Sequence, residues 1–228
     1  MASTLLGLAV LCLTGCQNIQ NSSPSQTMVR VIDASWNAPP VDANVGITPI
    51  AVNIGAATFT DYAFLPPENA TAYIYPTKGT TATASVAGNF LVSEQHSIFL
   101  TDTSSGYQAT LLTDQAANPP AGYVTLRFLQ QAVRAGAVDI YLVSSTGTFA
   151  GAKPLLSDVP AGTVSGYVNV QADSYTLAIA PAGDTSVKDV YTSQPLQFTG
   201  GQVRSVLIMD AQLTTTPPVT ITIGNDLN

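Results

Sequence analysis

The sequence is short of the side chains that carry most protein chemistry. Its 228 residues hold two Cys, one His and one Trp, and only 9% are charged, with seven Lys plus Arg against fourteen Asp plus Glu. A typical soluble domain carries about 25% charged residues. Seven basic residues scattered singly form no stripe able to neutralise phosphates, which excludes nucleic acid as a partner. Any catalytic relay, imidazole base or His-ligated metal would have to use His96 alone. The apolar run from Leu5 to Leu13 falls well short of the roughly 20 residues needed to cross a bilayer, and it matches a signal-peptide core of about 7 to 15.

That run ends in Leu13-Thr14-Gly15-Cys16, a small-residue site closing on Cys that reads as a lipobox. Residues 1–15 are therefore expected to be a lipoprotein signal peptide, although Met1-Ala2-Ser3-Thr4 carries no Lys or Arg. Cys16 is expected to be the lipidation site, and residues 16–27 a flexible tether, since Gln17 to Gln26 is polar and uncharged. Cys12 would leave with the signal peptide and Cys16 would carry lipid. No thiol would then remain for a disulfide, a thiolate metal site or a Cys nucleophile. Two or three acyl chains hold a protein firmly where one holds it marginally. The expected partner of Cys16 is thus the membrane of a cell envelope. Gln17 follows Cys16 where Asp would mark retention at the inner membrane, which favours the outer membrane in a Gram-negative host.

What the chain has in quantity is β-forming residues in short runs, broken by Gly, Pro, Asn and Asp clusters. It also has a degenerate repeat. Val41-Asp42-Ala43-Asn44-Val45 is echoed by Val138-Asp139-Ile140-Tyr141-Leu142, and Ala72-Tyr73-Ile74-Tyr75-Pro76 by Leu177-Ala178-Ile179-Ala180-Pro181. Ser97-Ile98-Phe99-Leu100-Thr101-Asp102 is echoed by Ser205-Val206-Leu207-Ile208-Met209-Asp210. The order is kept while the offset grows, as loop insertions between two homologous modules would produce. The pattern predicts an all-β protein of two tandem antiparallel β-sandwich domains of immunoglobulin-like size, 28–113 and 122–228, joined by a Pro-rich linker at 114–121. Seven to nine strands are expected in each. Runs at 90–93 and 195–199 are among them, Gly200-Gly201 is expected to be a tight hairpin turn, and Leu129 to Ala135 is the best helical remnant.

The stretch from Val29 to Asp42, Val-Arg-Val-Ile-Asp-Ala-Ser-Trp-Asn-Ala-Pro-Pro-Val-Asp, resembles the opening of the bacterial domain-of-unknown-function family 4397. The stretch from Leu156 to Val170, followed by Tyr175-Thr176-Leu177 and Pro181-Ala182-Gly183, is similar to a second block of that family. Asp33 stands where the family often has His. The resemblance implies a tandem β-sandwich on exported envelope proteins and brings no established activity or catalytic residue.

Few residues invite chemistry. Gly162-Thr163-Val164-Ser165-Gly166 has its Ser one place off the spacing of a nucleophile elbow, which disfavours a serine hydrolase. The repeat sets His96 opposite Arg204, so His96 is expected on solvated surface. Asp42 and Asp139 recur at equivalent positions, as do Asp102 and Asp210, which favours turn capping over a catalytic carboxylate pair. Asp184 and Asp189 share a loop without the spacing of a calcium site, and no metal or cofactor is expected. For binding, the residues to watch are Trp36, in a Pro-bounded loop, and Tyr73 and Tyr75, which share one face of a strand. These features predict a non-catalytic, lipid-anchored envelope protein acting as a binding or structural module for a glycan or protein ligand. The alternatives are a glycan hydrolase using an Asp pair and a subunit of a larger surface assembly.

Overall fold

A computed structural model describes residues 26–114, 117–184, 191–212 and 218–226. Cys16, the signal peptide and nearly all of the tether lie outside these residues, as do Asp189 and part of the Pro-rich linker. The described chain is all β. The first half contains β1 (Thr27–Ala34), β2 (Val41–Val45), β3 (Thr48–Ile54), β4 (Thr58–Phe59), β5 (Ala63–Leu65), β6 (Glu68–Pro76), β7 (Ala84–Phe90), β8 (Gln95–Thr103) and β9 (Gly106–Asp114). The second contains β10 (Tyr123–Gln131), β11 (Val138–Ser144), β12 (Leu156–Val159), β13 (Thr163–Val164), β14 (Val168–Gln171), β15 (Ser174–Pro181), β16 (Tyr191–Thr192), β17 (Leu196–Gln197), β18 (Val203–Asp210) and β19 (Val219–Asn225).

Four sheets result. Sheet 1 is ordered β4-β1-β8-β9 with β5 also on β1, and sheet 2 is β3-β2-β6-β7. Sheet 3 is β13-β10-β18-β19 with β14 also on β10, and sheet 4 is β12-β11-β15-β16 with β17 also on β15. Sheets 1 and 3 thus share one strand order. The repeated sequence segments sit at matching rungs: Val41 faces Pro76 and Val138 faces Pro181, while Arg30 faces Ser97 and Arg127 faces Ser205. Thr60 and Ser165 match as well. Each interrupts the edge beside the first strand of its half, and its hydroxyl accepts the N–H of Val31 or Phe128.

Three apolar cores hold the layers together. Sheets 1 and 2 close on Val29, Val31, Ile74, Phe90, Ile98 and Leu100. Sheets 3 and 4 close on Leu126, Phe128, Ile140, Leu177, Ile179 and Ile208. A third cluster joins sheet 1 to sheet 3 through Ile32, Ala34, Phe99, Leu129, Leu207 and Met209. Alternate residues of β1 and β10 therefore enter two different cores, which explains why these strands read as continuous apolar runs. Each side chain of this size contributes on the order of 1.5–3 kcal/mol on full burial.

The structure departs from the sequence expectations in five places. Sheets 1 and 3 are mixed, because β1 pairs β8 and β10 pairs β18 in parallel, while sheets 2 and 4 are antiparallel as expected. In each half the chain leaves the inner sheet after its first strand, returns to that sheet's edge as β4–β5 or β13–β14 between two visits to the outer sheet, and re-enters alongside the first strand at the end where it began. Gly200-Gly201 does form a turn, but it is an arch and not a hairpin: β17 belongs to sheet 4 and β18 to sheet 3. Residues 91–93 are a turn after β7. Leu129 to Gln131 finish β10, and the next residues turn without forming a helix. Gln130 stabilises this turn by accepting the Ala132 N–H and donating to Gly136 O. Finally, His96 is buried, 2% exposed, with Phe90 edge-on at 5.4 Å. Its partner position Arg204 is only partly covered, and the matched register carries no rule that both be wet.

Candidate binding face

The most polar cluster of the molecule is buried between its halves. Arg30 on β1 donates through Nη2 to Asp226 Oδ1 at 2.6 Å and through Nη1 to Asn225 O at 2.6 Å. Arg127 on β10 donates through Nη2 to Asp114 Oδ1, also at 2.6 Å. Each Nε donates to a serine of the neighbouring strand, Ser97 Oγ at 2.8 Å and Ser205 Oγ at 3.0 Å. Those serines donate in turn to Asp114 and Asp226, at 2.6 and 2.5 Å. Tyr62 donates to Asp114 at 2.6 Å and Tyr167 to Asp226 at 2.7 Å, and each ring lies 4.7 Å from the guanidinium carbon of Arg30 or Arg127. Burial alone would depress the Arg30 pKa, but Asp226 and Asp114 offset it and hold the group above its ordinary value. Burial likewise pushes the Tyr62 hydroxyl up, next to the Asp114 carboxylate. Through these bonds the cluster is a lock between the halves.

Sequence reasoning missed these eight residues, although a signal was available. Arg30 and Arg127 each interrupt an apolar strand, 97 residues apart, the same offset that relates Val41 to Val138.

The repeated carboxylates bind backbone. Asp42 accepts the N–H of Asn53 at 2.8 Å and of Lys78 at 3.2 Å, which lowers its pKa. Asp139 accepts the N–H of Asp158 at 2.7 Å and of Gly183 at 3.0 Å. Asn53 and Asp158 share an unusual φ of 52° and 51°, so each aspartate pins a left-handed residue of the adjoining strand. Asp102 accepts the N–H of Asn37 at 3.1 Å, and Asp210 accepts that of Arg134 at 2.9 Å.

Trp36 lies in the loop after β1, half-buried, and reaches across the halves: its indole N–H donates to Asp210 O at 3.0 Å. It packs on the cluster that joins sheets 1 and 3. The structure therefore does not bring Trp36 together with Tyr73 and Tyr75.

Tyr73 and Tyr75 sit on the outer face of sheet 2, because their neighbours Ala72 and Ile74 fill the core. The rings are half-exposed, tilted by 43°, with centroids 6.4 Å apart. On the adjoining β2, Asp42 stands opposite Tyr75 and Asn44 opposite Tyr73. Beside Tyr75 opens a groove of about 600 Å³ lined by Pro39, Pro40, Val52, Pro76 and Lys78, with Asp42 at its floor. Val52 is 69% exposed, so this groove offers an apolar wall next to a cation.

Sheet 4 treats the same face differently. Its rungs opposite Asp139 and Tyr141 carry Ala180 and Ala178 in place of tyrosines. Over them folds the long connection from β11 to β12, whose Phe149 packs edge-on against Tyr141 at 4.8 Å. In sheet 2 the corresponding connection is the tight Gly46-Ile47 turn, which covers nothing.

A family model of a domain of unknown function, DUF4397, matches residues 27–141, half of the chain. The protein belongs to this family. The match runs from β1 into β11, so in this DUF4397 protein it takes in Trp36, Tyr73, Tyr75 and five members of the buried lock, Arg30, Tyr62, Ser97, Asp114 and Arg127. No curated protein matches the chain. Among the described residues, no group of three or more His, Cys, Asp or Glu is placed to hold a metal ion.

Proposed function

We propose that this DUF4397 protein is a non-catalytic, lipid-anchored protein of the cell envelope, made of two tandem modules, that binds a glycan or protein ligand on the outer face of sheet 2. The observation carrying this reading is the contrast between the two outer faces. One is covered by Phe149, and the other presents Tyr73 and Tyr75 beside an open groove. Paired aromatic rings on a rigid sheet stack on sugar rings or apolar peptide groups at little conformational cost. Tyr73 and Tyr75 are the ligand contacts in this reading. Trp36 supports the face indirectly, by fixing the loop that leads to Pro39 and Pro40. Attachment through Cys16 follows from the lipobox, and the envelope address from that attachment.

The test is a glycan array and an envelope pull-down with the wild-type protein and a Tyr73→Ala, Tyr75→Ala double variant. Binding lost in the double variant and kept in Phe149→Ala is the expected result. Binding indifferent to both tyrosines would sink the site, and turnover of a polysaccharide abolished by a single Asp→Asn substitution would replace binding by hydrolysis. Acylation is read separately, as added mass on Cys16 that disappears in Cys16→Ser.

A further inference from the structure

We infer that the end of the molecule from which the tether leaves is a membrane-facing surface, seated in the lipid interface through Phe64, Leu91, Val92 and Tyr123; this rests on Cys16 being acylated. The ends can be told apart. Arg30, early in β1, bonds Asn225, the last residue of β19, and Asp226 just after it, whereas Trp36, past the other end of β1, bonds Asp210 at the close of β18. The starts of β1 and β10 therefore lie at the same end, because Asn225 pairs Arg204 near the start of β18, which runs parallel to β10.

At that end Gln26 O accepts the Ser93 N–H at 2.9 Å, so the chain leads back toward Cys16 directly beside the Leu91-Val92 turn. Leu91 and Val92 are 45% and 48% exposed. Phe64, which pairs with Met28 two residues into the fold, is 62% exposed, and Tyr123, at the start of β10, is 43% exposed. Ile47 flanks them at 96%, in a turn whose Gly46 N–H donates to Thr71 O on the early part of β6. Among the described residues, five of the eight large exposed apolar side chains thus gather at one end. Apolar side chains displayed together on a soluble fold mark an interaction surface.

The internal repeat supplies the comparison that singles out a membrane. The turn equivalent to Leu91-Val92-Ser93 ends in Gly201, whose N–H donates to Tyr123 O as Ser93 does to Gln26 O, and it carries Gly200-Gly201 with no side chain. Phe64 faces Met28, and the matching rung of the second half pairs Thr125 with Asn169. At these compared positions the apolar side chains, Phe64, Leu91 and Val92, belong to the half whose first strand continues to the lipobox, and the second half adds Tyr123. Nine residues lie between Cys16 and Gln26. The ten Cα–Cα steps from Cys16 to Gln26 cannot exceed about 35 Å, so the acylated Cys keeps this end against the bilayer. Exposed Phe, Leu and Val then enter the acyl boundary, and Tyr123 places an aromatic ring with a polar tip at the headgroups.

The experiment uses the acylated protein in phosphatidylcholine vesicles, with one Cys introduced at a time and labelled with an environment-sensitive fluorophore. Val92→Cys probes the tether end. Val133→Cys, 70% exposed in the turn after β10, probes the far end. Blue-shifted emission from position 92, quenched by doxyl-labelled lipid, with water-like emission from 133, is the expected result. A Phe64→Asp, Leu91→Asp double variant should return the position-92 probe to water while Cys16 stays acylated. Water-like emission at 92 on an acylated protein overturns the seating and leaves the anchor standing. Absence of acyl mass on Cys16 overturns both.

Discussion

Arg30 and Asp226 are 196 residues apart in sequence, and in the fold Nη2 of the first donates to Oδ1 of the second at 2.6 Å with both side chains buried. Arg127 and Asp114 repeat the bond at the same distance in the opposite sense. Each half thus provides the cation for the other's anion. Removing one partner leaves a buried charge uncompensated, which costs about 3–5 kcal/mol. Asp226→Ala should show that loss in urea unfolding, whereas Arg30→Met with Asp226→Leu should recover most of it. A cost below about 1 kcal/mol for the single variant would mean that the halves hold together without the lock.

How much of this was legible in the sequence depends on the range of the interaction. Strand periodicity is local, so most strand runs and the capping role of Asp42 and Asp139 could be read directly. The pairing of β1 with β8 depends on where the chain returns after 60 residues, which no local pattern encodes. The burial of His96 escaped for a related reason: a polar residue in a matched register looked wet because its counterpart Arg204 is partly so. Trp36 was recognised as a notable side chain, but its partner Asp210 O belongs to the other half, and a sequence does not say which carbonyl a loop will meet. The two faces carrying Tyr73 and Phe149 were likewise separable only once the β11–β12 connection was seen to fold back over its own sheet.

Asp33 makes stability depend on pH in an unusual direction. Burial pushes its carboxyl up to about 6, Asp102 adds to the shift, and the Ser35 N–H on Oδ1 opposes it; Oδ2 is buried without a partner. The folded state therefore holds the proton more tightly than the unfolded chain, whose carboxyl titrates near 3.8. The contribution to stability is complete below that value and is lost as pH rises through about 6, amounting to roughly 3 kcal/mol or less. Asp33→Asn should raise the unfolding free energy at pH 7 by about 1–3 kcal/mol, with the gain vanishing below pH 4. An equal effect at both pH values would assign the change to packing.

The sole tryptophan reports on the contact between halves. Trp36→Phe keeps the ring against the Ile32 and Leu207 cluster but loses the bond to Asp210 O, at a cost of about 0.5–1.5 kcal/mol. Wild-type indole emission should shift to the red in step with the loss of β-sheet circular dichroism, since the lock couples the halves. An emission change at lower urea than the dichroism change would show the halves parting before either unfolds.

Gly224 gives the most local test of how closely sheet 3 meets the edge of sheet 1. A Cβ at this position would lie 2.3 Å from Phe59 Cδ1, 2.6 Å from Cγ and 2.8 Å from Cε1, so either Phe59 or β19 would have to shift. Phe59 is held in place because the Arg30 guanidinium lies 5.2 Å from its centroid, and Gly224 faces Ser205 on the ladder that carries the lock. Gly224→Ala should therefore cost about 1–3 kcal/mol, at the upper end if the overpacking also displaces Arg30 from Asp226. Phe59→Ala removes the obstacle while forfeiting its own packing, so Gly224→Ala should be nearly neutral in that background. A double-mutant cycle in urea decides it: coupling of more than 1 kcal/mol places the clash between these two residues, and additive losses would locate the strain within β19 itself.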